Sequence, residues 1–132
     1  MSAPTVGMRA SELVLARTEE LADAVTRVLY IEDPRLVVRF GERGRAKCLE
    51  DITYCLEHLA PALALDDSSL FTRYMRWVES LLAVRGIGSG EVRRSLDIMQ
   101  RVIAGRFPPD EAAFTVACVN AGMLSLSGDP SS

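Results

Sequence analysis

Cys48, Asp51, Cys55 and His58 step along the chain by three, four and three residues. On a helix this spacing strings the side chains along one continuous face. A thiol there can form a thioether or touch a ligand, and a carboxylate can accept hydrogen bonds from ligand N–H groups. His58, the chain's one histidine, can donate to carbonyls or bind a metal. The plain alternative is a core cysteine beside a surface aspartate, and Cys55 in particular reads as core because small thiols are among the most buried side chains. A zinc site of Cys48, Cys55 and His58 fails on spacing, since structural zinc takes paired ligands from knuckles or turns. A Cys48–His58 nucleophile fails on distance, because ten residues of helix separate the pair by about 15 Å.

Two further groups flank this face. Arg39, Arg43, Arg45 and Lys47 form a basic patch just before Cys48, suited to the carboxylates of an acidic small molecule or simply to solvent. Phe71, Tyr74, Met75 and Trp77 supply large side chains on a later helix, most of them expected in the core. Gly86-Ile87-Gly88-Ser89-Gly90 follows a helix with no strand before it, so it reads as a helix stop rather than a phosphate loop.

The elements that must position these groups are helical. Apolar residues recur at helical spacing throughout, and no stretch alternates as a strand does. The pattern predicts a first helix from about Ser11 to Leu29, then a short second one opened by Asp33 as N-cap and Pro34 at the first helical position. Gly41 and Gly44 should loosen the backbone before a third helix near Arg45 to Leu65, kinked by Pro61. A fourth runs from about Ser69 to Val84, a fifth from Glu91 to Ala104 and a last from about Asp110 to Leu126. Six unequal helices predict an all-α, globin-like arrangement over residues 1–132, with 1–7 and 127–132 as loose termini.

Composition bounds the function. At 132 residues, 48 % hydrophobic and 25 % charged, the chain is one domain's worth, able to bury about two-thirds of its unfolded surface. A net charge of -3 argues against nucleic-acid binding, which depends on a basic surface. No segment approaches the ~20 apolar residues that span a bilayer, so a cytoplasmic address and no membrane partner are expected. An odd count of three cysteines forms no disulfide framework and fits a reducing compartment.

The run from Arg43 to Gly86 resembles the central part of phycobiliproteins, globin-fold proteins that hold linear tetrapyrroles. Their alanine-cysteine-leucine-arginine-aspartate segment is similar to Ala46-Lys47-Cys48-Leu49-Glu50-Asp51, and further pieces look like Leu56-Glu57-His58-Leu59, Asp66-Asp67 and Leu82-Ala83-Val84-Arg85-Gly86. The resemblance implies a bilin such as biliverdin or phycocyanobilin, with Cys48 near its A-ring, Asp51 near its pyrrole nitrogens and Arg43 and Lys47 near its propionates. His58, Tyr74 and Trp77 would complete the pocket between the third and fourth helices. Glu50 stands where the family has the arginine that meets a propionate, so an antenna role is not expected. The related globins that accompany bilin biosynthesis in non-photosynthetic bacteria are the better comparison, with bilin-making enzymes as possible partners. Haem is disfavoured, because Ser69 to Arg85 offers no proximal histidine.

A second resemblance rests on Phe71, Tyr74 and Trp77, whose Phe-x-x-Tyr-x-x-Trp spacing looks like the helical domain preceding cobalamin-binding domains in bacterial regulators. It implies a ligand-free sensory or dimerisation module. The combined expectation is a non-enzymatic binding protein, with an exposed apolar face on the first helix favouring a homodimer.

Overall fold

The computed structural model describes residues 3–127 and is all-helical, with six helices: α1 (Val6–Ala16), α2 (Thr18–Glu32), α3 (Arg35–Ala64), α4 (Ser68–Val84), α5 (Ser89–Arg106) and α6 (Pro109–Leu124). The all-α class and the helix number agree with the apolar periodicity. α3 is the central element, packed by α1, α2, α4 and α6, while α5 closes the other side against α2 and α6. Leu56, Leu59 and Leu63 of α3 are fully buried with Val14, Leu21, Phe71, Leu96, Ile103 and Val119 from its neighbours. Each such side chain contributes about 1.5–3 kcal/mol of burial, whereas an exposed ion pair contributes about 0–1 kcal/mol. The interior therefore holds the helices together.

The expected first helix is two helices. Arg17 leaves helical geometry (φ −117, ψ 20) between them, although no glycine or proline marks the spot. Thr18 Oγ1 donates to the carbonyls of Val14 and Leu15, and the two pieces then take different neighbours: α1 lies on α3 and α6, α2 on α3 and α5. α1 also begins earlier than Ser11. Thr5 Oγ1 accepts the Met8 N–H at 3.1 Å, an N-cap that orders Val6 and Gly7 at the end of a segment expected to be loose. Gly7 is buried, and a Cβ there would lie 2.3 Å from the Leu63 carbonyl oxygen.

The short second and long third helices join as α3, interrupted at Gly41 (φ 68, ψ −166). Only glycine adopts this geometry at low cost. Around Pro61 the backbone stays helical, and the proline is exposed. Asp33 is not the side-chain cap: Pro34 occupies that position and Asp33 instead binds arginines. α4 is bounded as its sequence indicates. Asp67 accepts from the Ser69 N–H and hydroxyl at 3.1 and 2.6 Å, and Gly86 (φ +80) lets Ile87 N–H return to the Leu82 carbonyl at 3.0 Å, a glycine C-terminal motif. No helix is long and apolar enough among the described residues to cross a membrane.

Candidate functional site

Phe40 and Gly44, on either side of the break at Gly41, line a cleft of about 280 Å³ bounded by α2, α3, α4 and α5. Its walls are apolar: Leu29 from α2, Leu36 and Ile52 from α3, Leu82 from α4, and Val92 and Leu96 from α5. Four sulfur side chains also line it, Cys48, Cys55, Met75 and Met99. Cys55 Sγ lies 3.6 Å from Met75 Sδ and is buried, which fits its reading as a core residue. Gly44 admits the close approach of Phe40, whose Cβ lies 2.2 Å from where a residue-44 Cβ would sit.

Charged groups gather at the mouth. Asp51 bonds Arg85 Nη2 through Oδ2 at 3.2 Å and faces Lys47 Nζ with Oδ1 at 3.6 Å. Lys47 lies closer to Glu50, at 3.1 Å, and Glu50 is half exposed. Arg94, also in the lining, bonds the buried Asp33 carboxylate at 2.9 Å, and Arg35 donates to both oxygens of the same group, at 2.9 and 3.3 Å. Arg39 pairs with Glu91. Burial, then the neighbouring Asp51 charge, pushes the Cys48 thiol up to about 11. At neutral pH it is a protonated thiol and a poor nucleophile.

Of the residues singled out from the sequence, Cys48, Asp51 and Lys47 meet in this cleft. Arg43 is exposed and outside its lining. His58, Tyr74 and Trp77 form a separate surface group further along the α3–α4 seam. The His58 and Tyr74 rings stack at 3.8 Å with 9° between their planes, and Trp77 follows at 5.9 Å from Tyr74. His58 Nδ1 lies 2.8 Å from the Tyr54 carbonyl, so Nδ1 carries the proton. Trp77 is 58 % exposed. No spacing pattern marks Arg85 or Arg94, because both reach the cleft from other helices; the nearest signal is Gly86, which ends α4 and leaves Arg85 at its tip.

The Asp33 cluster ties the stability of the fold to pH. The Arg35 hydrogen bond, with added attraction from Arg94, holds the Asp33 carboxyl below the usual aspartate range. A lowered folded-state value means that the stabilisation is complete above the unfolded aspartate value and is lost as pH falls through the folded one. Asp33→Asn should therefore be less stable than the parent in urea at neutral pH, with the gap closing only on acidification below the ordinary aspartate range. A gap that stays constant down to strong acid would refute this linkage.

No family model matches this chain, and no curated protein matches it either.

Proposed function

We propose that this protein is a non-enzymatic small-molecule-binding helical domain, with a linear tetrapyrrole as its leading ligand class, serving to sense, carry or store that molecule rather than to harvest light. The observation that carries this reading is the apolar cleft in which Cys48 and Asp51 come together with the cations Lys47 and Arg85. Apolar walls with a few convergent polar groups are the usual form of a ligand site. Asp51 retains lone pairs for ligand N–H groups, since a carboxylate offers about four acceptor positions.

The volume, about 280 Å³, lies just below the roughly 300–1,000 Å³ typical of ligand pockets. It suits part of an extended tetrapyrrole, with the remainder over the charged mouth. The neutral Cys48 thiol favours non-covalent binding. The single histidine stacks on Tyr74 outside the cleft, which speaks against haem. A cytoplasmic setting near bilin-producing enzymes belongs to the same proposal.

Titration with biliverdin or phycocyanobilin should give a red-shifted, sharpened absorption band, removed by denaturation and leaving no zinc-fluorescent adduct on a gel. Asp51→Asn should move that band. Absence of any spectral change with either bilin would end the tetrapyrrole reading.

A second reading is favoured by α4 itself. Trp77, Leu81 and Val84, one stripe at i, i+4 and i+7, are 58 %, 43 % and 86 % exposed. That stripe suits a sensory or dimerisation module better than α1, where Met8 and Leu15 are the large exposed apolar residues. Sedimentation of the parent and of Trp77→Ser should separate the readings: a dimer that the substitution dissociates supports the module.

A further inference from the structure

We infer that the cleft selects molecules carrying a carboxylate on an apolar body, and that Arg85 is the residue that binds this carboxylate, exchanging its contact with Asp51 for one with the ligand. This rests on the cleft being a ligand site but not on the ligand being a tetrapyrrole.

The charged side chains of the lining are three cations, Lys47, Arg85 and Arg94, against two anions, Asp51 and Glu91. Their holds on internal partners differ. Arg94 is bound to a carboxylate, Asp33, that is 7 % exposed and that Arg35 also grips through both oxygens, so withdrawing Arg94 would take one of two cations from a buried charge, which is costly. Lys47 is drawn outward to Glu50 at 3.1 Å.

Arg85 makes one 3.2 Å contact to Asp51 in a pair whose side chains are 33 % and 27 % exposed. A partly solvated pair of this kind is weakly held. The contact engages one of the five N–H donors of the guanidinium, and a carboxylate can take two of them side by side. Once Arg85 turns to a ligand, Asp51 still faces Lys47 at 3.6 Å.

α4 presents Arg85 from its C-terminal tip, beside Asp51. The tip is fixed by Gly86 (φ +80) and the Ile87-to-Leu82 hydrogen bond. Arg85 thus acts as a specificity-determining group, while the apolar walls take the body of the molecule.

The test is calorimetric titration with a matched pair, decanoic acid and decanol, which share the apolar tail and differ in charge. The acid should bind about tenfold more tightly than the alcohol, as expected for a hydrogen bond to a charged group. Arg85→Gln should abolish that preference, Arg85→Lys should keep part of it, and Asp51→Asn should strengthen acid binding by removing the competitor. A parent-like circular-dichroism spectrum and urea midpoint in the variants serve as the check that the fold is intact. Equal affinity of the parent for acid and alcohol, or a preference that survives in Arg85→Gln, would overturn the inference while leaving the cleft as a binding site. Failure of both probes to bind would overturn the inference and the cleft reading together. Loss of bilin binding alone, with the acid preference intact, would remove only the tetrapyrrole.

Discussion

Replacing Phe71 with alanine is expected to cost about 3–5 kcal/mol, the range for deleting a buried aromatic side chain. Phe71 is fully buried on α4 and is among the largest side chains in the core. Native domains of this kind are stable by about 5–15 kcal/mol in total, so the variant should lose a large part of its folding free energy in urea melts followed by circular dichroism. The loss has a specific second partner. A Cβ on Gly122 of α6 would lie 2.5 and 2.7 Å from Phe71 Cε2 and Cδ2 and 3.3 Å from Met75 Cγ. The ring therefore occupies the space that a glycine leaves, and Gly122→Ala should itself destabilise by about 1–3 kcal/mol through overpacking. In a Phe71→Leu background the same alanine should cost much less, because the colliding ring atoms are gone. Costs that simply add, within about 0.5 kcal/mol, would show that α4 and α6 do not depend on this ring-over-glycine contact.

The elements legible in the sequence are those whose ends carry their own chemistry. α4 was bounded by an aspartate cap and a glycine stop, and its observed limits, Ser68–Val84, differ from the periodic reading by one residue. Gly41 was legible as a break because its positive φ is a property of glycine. The break at Arg17 was not. It arises where α1 and α2 turn to different neighbours, and tertiary contacts of that kind leave no mark in local spacing. Asp33 is not a cap for a related reason: two arginines, one from α5, bind its carboxylate together.

The same distinction runs through the site. Spacing placed Cys48, Asp51, Cys55 and His58 along one side of α3, but it could not say at what level the next helix closes over that side. His58 lies seven residues beyond Asp51, about 10 Å further along the axis. There α4 comes close enough for Tyr74 to stack on the imidazole. At the level of Asp51 the antiparallel partner is already at its tip, so Arg85 arrives instead of an aromatic ring. One helix face is thus divided by its neighbour into a cleft with a charged mouth and a closed aromatic seam.

Filling the cleft should separate its role from that of the α4 surface. Ser95 lines the cleft from α5, is half-buried, and donates its hydroxyl to the Glu91 carbonyl of its own helix at 3.2 Å. Among the described residues, no other element bonds that hydroxyl. Phenylalanine has similar helix propensity to serine, and its ring would enter apolar space among Leu29, Val92 and Leu96. Ser95→Phe is therefore expected to keep the parent's urea midpoint or raise it, while lowering the affinity of a cleft ligand by at least about a hundredfold, equivalent to about 2.8 kcal/mol of binding. The self-association proposed for Trp77 should be untouched, since that side chain lies outside the cleft. Calorimetry with decanoic acid and absorption titration with biliverdin would measure the first effect, and sedimentation the second. Full ligand affinity in a folded Ser95→Phe protein would place binding elsewhere on the surface and remove the cleft from the mechanism. Loss of self-association in the same variant would instead make the cleft part of the interface.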